Sequence, residues 1–345
     1  MPRFSLLLAA ATGAILVAAP ALAADFSSIF GSDSDMRSGF SADDDWANTD
    51  VGDPLTFELG LRYWYSWGAQ NFNVDTGSLK DSDTTQSVEA HFRVDDASTR
   101  TYAKALGGLS FKTEGTATNT SLLGMTTTSA VTDGHIAYAG GDVGYSWLGD
   151  TKSGATLGPF AGYMYWNDSP DLGRANFTTG TSTNDFSWNG FSVTGPGNSV
   201  EDGVEINALR LGFSGKANLG SMFDVSGELA AVPYANISGV LGAFSVPTVV
   251  SGTDAIIQSS PVSINGWGYG AMGEVMFGMH PTSNLTFRLG GRAWYLQGTA
   301  DTTFNTITVT NDNTHTVVGS QAYIQTSNPW SLFRYGALAE MTYNF

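Results

Sequence analysis

The sequence predicts an all-β protein, a ten-stranded antiparallel transmembrane β-barrel, and three observations carry that reading. Apolar and polar residues alternate at period two over runs of about ten residues, as in a strand with one face to lipid and the other to water. The connections between these runs are alternately long and short. Only 14% of the 345 residues are charged, with 12% aromatics and 42 glycines, against the roughly 25% charge usual in soluble domains. Past the N-terminus no window approaches the ~18 consecutive apolar residues of a membrane helix, so any crossing would be made by strands that pair all their backbone groups.

The first segment, Leu55 to Trp67, puts Leu55, Phe57, Leu59, Leu61, Tyr63, Tyr65 and Trp67 on one face, with Thr56, Glu58, Gly60, Arg62, Trp64 and Ser66 on the other. Ser87 to Val94 sets Val88, Ala90, Phe92 and Val94 against Ser87, Glu89, His91 and Arg93. Tyr102 to Lys112, Ile136 to Leu148, Ala155 to Trp166, Ile206 to Lys216, Met222 to Tyr234 and Trp267 to Met279 fit the same template. Leu285 to Tyr295 and Phe333 to Phe345 complete the ten. Long polar connections are expected at 69–86, 113–134, 167–203, 235–265 and 298–331, and short turns at Asp95 to Thr99, Gly149 to Gly154, Asn218 to Ser221 and His280 to Asn284. An even strand number with this asymmetry is the pattern of bacterial outer-membrane barrels and places both termini on the periplasmic side. A secreted sandwich with one wet face would also alternate. Aromatics near strand ends argue for the barrel, as membrane-interface girdles do: Tyr63, Trp64, Tyr65 and Trp67, Tyr145 and Trp147, Tyr163, Tyr165 and Trp166, Trp294 and Tyr295.

The ends of the chain supply the compartment. Met1-Pro2-Arg3, an apolar stretch from Leu6 to Ala19 and Ala21-Leu22-Ala23 form a cleavable secretory signal over residues 1–24. Residues 25–53 hold eight aspartates and one arginine, which suits a flexible acidic periplasmic lead before a barrel spanning 54–345. Asp33-Ser34-Asp35 and Asp43 to Asp45 do not continue into a calcium loop, and no metal or cofactor is expected. There is no cysteine, so disulfides, thiolate metal sites and a cysteine nucleophile are excluded. A net charge of −17 excludes nucleic acid as a partner, since binding it needs a basic footprint. At the other terminus Tyr343 and Phe345 look like the insertion signal read by the barrel-assembly machinery, which with periplasmic chaperones would be the partner during biogenesis. Outer-membrane lipid and lipopolysaccharide would surround the finished protein.

Sorting charges by face places Glu58, Arg62, Glu89, Arg93, Lys104, Asp142, Arg210, Asp224, Glu228, Glu274, Arg288, Arg292, Arg334 and Glu340 inside, with Lys112 and Lys216. Ten strands enclose an interior little wider than one that side chains fill, so these ions are expected to pair into a plug. Glu58 and Arg62 lie roughly 13 Å apart along one strand. Each must therefore pair across the interior, Arg62 with carboxylates such as Glu89 and Glu58 with cations such as Arg334 or Arg292.

The loop rhythm resembles the omptin barrels, outer-membrane aspartate/histidine proteases. The strings Glu58-Leu-Gly-Leu-Arg-Tyr-Trp-Tyr-Ser66, Gly158-Pro-Phe-Ala-Gly-Tyr-Met-Tyr-Trp166 and Ala208-Leu-Arg-Leu-Gly-Phe213 are similar to alphaproteobacterial outer-membrane barrels of omptin-like architecture. The resemblance implies the fold over 55–345. It does not bring the protease site, which needs an Asp-x-Asp pair in the second long loop and an Asp-x-His dyad in the fourth. The second loop opens Thr113-Glu114-Gly115, and the fourth holds Asp254 and no histidine. Asp133-Gly134-His135 imitates the dyad at the wrong end of its loop, and His315 beside Asp312 is expected to be solvated. Of the lipid A clamp the omptins carry, Tyr163-Met-Tyr165-Trp-Asn167 keeps only the first tyrosine. The expectation is a non-catalytic barrel that presents long polar loops. Two alternatives stand beside it, a narrow porin-like channel for small solutes and an omptin-like protease with a rearranged site.

Overall fold

A computed structural model describes residues 55–74, 77–121, 126–150, 154–177, 185–188, 191–194, 203–241, 247–251, 254–310 and 316–345. The signal segment, the acidic segment 25–53, Asp312 and His315 lie outside the described residues. In chain order the strands are β1 (Leu55–Val74), β2 (Gly77–Asp96), β3 (Thr101–Ser121), β4 (Thr126–Tyr145), β5 (Leu148–Asp150), β6 (Ala155–Phe177), β7 (Asp185–Trp188) and β8 (Phe191–Thr194). They continue with β9 (Gly203–Asn218), β10 (Phe223–Leu241), β11 (Pro247–Ser251), β12 (Asp254–Gln258), β13 (Val262–Met279), β14 (Leu285–Thr310) and β15 (Val317–Asn344).

All pairings are antiparallel. The long strands pair in the order β14-β13-β10-β9-β6-β4-β3-β2-β1-β15, and β15 also pairs with β14. Each of these ten therefore has a partner on both sides, which removes the unpaired edges that otherwise template aggregation. The short β5 lies on β6, β12 on β14, and β11 on β12, while β7 and β8 form a separate hairpin. At the short-turn end the chain reverses tightly. In the turn after β2 the Asp96 carboxylate accepts bonds from the Ser98 and Thr99 hydroxyls at 2.6 and 2.7 Å, which hold its pKa down at about 2.

The outer face near the turn end is apolar, with Leu59, Leu61, Phe92, Val143, Leu209, Leu211, Phe213, Leu229, Phe277, Leu289 and Met341 all exposed. Aromatics bound this zone. Tyr63, Trp67, Tyr163, Tyr269, Tyr295, Phe333 and Tyr335 ring its far side, and Tyr145, Phe287, Tyr343 and Phe345 its near side. Phe333 and Tyr343 are ten positions apart on β15, roughly 33 Å along a strand and about 25 Å along the axis at a tilt of ~40°.

Beyond that zone the strands run on, and the long connections expected from the sequence are mostly strand. β1 and β2 continue to Val74 and Gly77, β3 and β4 to Ser121 and Thr126, and β14 and β15 to Thr310 and Val317. Here the polarity of the two faces inverts. Asn73, Lys80, Ser82, Glu114, Thr116, Asp301, Thr303 and Asn305 point out. Phe72, Ala117, Val131, Ile136, Val204, Ile237, Leu241, Ile264, Ala300, Phe304 and Trp330 are buried inside. The extension is thus built like a water-soluble β-protein, with its own apolar core.

Candidate functional site: the interior of the sheet

Of the sixteen charged residues assigned to the interior, all but Lys112 lie on the inner face, and register explains how they meet. Arg62 stands opposite Glu89 on β2 and opposite Glu340 on β15. Arg288 stands opposite Glu340, Glu274 opposite Arg292, and Lys104 opposite Asp142. Arg62 Nε donates to Glu340, and its Nη1 lies 3.3 Å from Glu274 and 3.9 Å from Glu89. Arg292 donates to both Glu89 oxygens, at 2.5 and 3.2 Å, and through Nε to Glu274 at 2.8 Å. Arg288 forks onto Glu58 at 3.1 and 3.2 Å and reaches Glu340 at 2.8 Å.

On the opposite wall Lys104 lies 3.2 Å from Asp142 and donates to Glu228. Arg210 lies 3.2 Å from Asp142 and 3.5 Å from Glu228. Glu228 faces Glu274 directly across β10 and β13, a like pair that would be repulsive without the cations reaching in. Asp224 sits lower, 2.7 Å from His280 Nε2, 3.6 Å from Arg288 and 3.7 Å from Lys216. Arg93 pairs with Asp95 at 2.7 Å near the rim and lies over the Tyr102 ring. The bridges form two sets: five carboxylates (Glu58, Glu89, Asp224, Glu274, Glu340) meet four Lys/Arg cations (Arg62, Lys216, Arg288, Arg292), and on the opposite wall two carboxylates (Asp142, Glu228) meet two (Lys104, Arg210).

Three placements differ from expectation. Glu58 pairs with Arg288, whereas Arg334 stands apart, higher up, where it forks onto Asp83 at 2.6 and 2.8 Å and lies 3.8 Å from Asp168. Lys112 is not inside: a bulge between Ser110 and Lys112 shifts the parity of β3, so Ser110 and Thr113 are buried while Lys112 pairs on the outer side with Glu114 at 3.0 Å. Trp64, Trp166 and Trp294 are not girdle residues. They are buried and pack with Tyr138 in a layer above the ions, with ring centroids 4.9 to 6.4 Å apart. Arg292 lies 5.1 Å from the Trp64 ring centre, and the Tyr138 hydroxyl donates to Glu89 at 2.6 Å, so the ionic and aromatic layers are joined.

Asp83, Tyr138, Asp168 and His280 are the members the sequence reading missed. Asp83 and Asp168 fall in stretches taken as loops, and a tyrosine on a charged face gives no period-two signal of its own. A cavity of about 390 Å³ opens at the turn end below the ionic layer. Above it the described voids, between Leu106, Met164, Arg210 and Trp294 and again between Phe72, Leu79, Asp168 and Val204, measure about 10 Å³ each, room for at most one water. His135 is half-buried on β4 opposite Ser169. Tyr163 donates to Asn207 and Tyr165 to Glu205 at 3.1 Å on the outer face.

No protein-family model matches the chain, and no curated protein does. Among solved structures it resembles the outer membrane protease OmpT from Escherichia coli, with a TM-score of 0.59 and 11% identity over 86% of this chain and 98% of that one. It also aligns with the translocator domain of the autotransporter NalP from Neisseria meningitidis at 11% identity, over 86% and 90% of the two chains, but with a TM-score of 0.34 that adds nothing further. At such identities the likeness is one of fold, the outer-membrane β-barrel.

Proposed function

We propose that the chain is a closed, ten-stranded barrel of the outer membrane of a Gram-negative cell, signal-cleaved, non-conducting and without catalysis. Its role is then to hold a rigid polar surface outside the cell. The single observation that carries this reading is the filled interior: an ionic layer bridged across the barrel by Arg62, Arg288 and Arg292, then an aromatic layer, then an apolar core. A solute would have to displace buried ion pairs whose rupture costs several kcal/mol. The apolar zone about 25 Å tall between two aromatic rings supports seating in lipid and lipopolysaccharide. Tyr343 and Phe345, exposed at the end of β15, suit recognition by the assembly machinery.

The omptin-like fold keeps an omptin-like hydrolase as the rival reading. Against it, the acids that meet in the far half, Asp83 and Asp168, are buried around Arg334, and no histidine accompanies them among the described residues. Refolded protein in a planar bilayer should show no steady conductance, and with lipopolysaccharide present it should not cleave dibasic peptides. Steady single-channel current would replace this reading with a channel, and peptide cleavage with a hydrolase.

A further inference from the structure

We propose that Glu58, His91 and Glu340 form a binding site for a divalent transition-metal ion, zinc by its donor set, at the floor of the cavity that opens at the turn end. One ligand atom from each of the three lies within 4.8 Å of the others, and all three side chains are buried. They come from three adjacent strands, β1, β2 and β15, and Gly60 makes room for them. Gly60 stands between His91 on β2 and Thr342 on β15, and a methyl group there would lie 3.1 Å from His91 Nδ1.

The second observation concerns the imidazole itself. His91 is 3% exposed, and its Nδ1 has no hydrogen-bond partner. That nitrogen points at the Glu58 carboxylate from 3.8 Å, too far to donate a hydrogen bond and close to the separation of two ligands that share one ion. Charge points the same way. The bridged set that contains Glu58 and Glu340 holds five carboxylates against four Lys/Arg side chains, with a neutral His280 beside Asp224, and a buried excess of negative charge is relieved by a cation.

The Arg288 guanidinium now spans Glu58 and Glu340, at 3.1 and 2.8 Å. It need not be stranded when an ion enters, because its Nε is already 3.6 Å from Asp224. Arg62 likewise keeps Glu274 and Glu89. One imidazole with two carboxylates suits Zn²⁺, which takes nitrogen and oxygen ligands at about 2.0–2.2 Å, whereas Mg²⁺ and Ca²⁺ favour oxygen alone. A fourth position would go to water from the cavity, whose mouth is framed by Arg100, Ser283 and Asn344.

The test uses the refolded, untagged full chain carrying His135→Ala, His280→Ala and His315→Ala, so that His91 is the one imidazole left of four. Titration with Zn²⁺ in a chelator competition should give one equivalent bound, undisturbed by excess Mg²⁺. His91→Asn should weaken that binding by at least ~100-fold, and Gly60→Ala should weaken it as well. Arg288→Gln, which removes the competing cation, should tighten it by about tenfold or more. Should the variants fail to fold, X-ray absorption of the Zn²⁺- or Co²⁺-loaded parent reports its ligands directly, and one imidazole among oxygens is expected. No stoichiometric Zn²⁺ binding by the parent, equal binding by folded His91→Asn, or a spectrum without imidazole would each overturn the site.

Discussion

At the scale of single residues, a charge in this protein matters according to which face it occupies. Arg292 and Lys112 both stand in alternating segments and both read as interior from parity alone. Arg292 is buried among Glu89, Glu274 and two tryptophan rings, while the bulge in β3 turns Lys112 out beside Glu114. Removing a partner from a buried pair leaves its carboxylate uncompensated, which costs about 3–5 kcal/mol, whereas an exposed pair contributes about 0–1 kcal/mol. Arg292→Ala should therefore lower the urea midpoint of the detergent-folded barrel by a loss in the larger range, and Lys112→Ala should leave it nearly unchanged. Equal effects would mean that the ionic layer is hydrated. Partner choice was only partly legible in the sequence. Arg62 and Glu89 are expected to meet because both face inward on neighbouring strands, but the fork of Arg288 onto Glu58 depends on how strands distant in the chain meet across the interior.

At the scale of the strand, alternation located the long antiparallel strands but stopped them short. Over the membrane-sized part, an apolar outer face gives the pattern sought, Leu59, Leu61 and Tyr63 against Glu58 and Arg62. In the extensions alternation persists with its sense reversed, as in β14, where Ala300, Phe304 and Val309 are buried and Asp301, Thr303 and Asn305 lie outside. A search for apolar residues on the lipid side reads such a stretch as a polar loop, because threonine and asparagine dominate it. Trp64, Trp166 and Trp294 read as girdle from their place near strand ends, although parity already sets Trp64 on the face of Glu58 and Arg62. If the extensions are packed strands, their inward residues carry weight. Ile237→Ala, at a fully buried position, should cost about 2–5 kcal/mol, while Thr303→Ala on the outer face should change stability by less than ~0.5 kcal/mol. Chemical denaturation followed by tryptophan fluorescence reads both. An insensitive Ile237 would return this region to mobile loops.

At the scale of the whole molecule, the inversion of polarity places the membrane along the barrel axis. An apolar outer face is stable only in lipid, and an apolar inner face with a polar outside only in water. The chain makes the first choice between the two aromatic rings and the second beyond Tyr63, Tyr163 and Tyr335. Charge alone would not have located the boundary, because the ionic layer lies within the lipid zone. In the proposed outer-membrane seating the extensions would face the medium and the short turns the periplasm, as short turns do in bacterial barrels. Single cysteines are informative because the chain has none of its own. At the exposed positions Ser82 and Thr116, above the boundary, Ser82→Cys and Thr116→Cys should react in intact cells with a membrane-impermeant maleimide. In the turn after β2, Ser98→Cys should react only once the outer membrane is permeabilised. The opposite pattern would invert the barrel and put the 390 Å³ cavity at the cell surface. Labelling at all three positions in intact cells would mean that the apolar zone is not held in a membrane, which removes the only solvent in which Leu61, Phe277 and Leu289 can stay exposed.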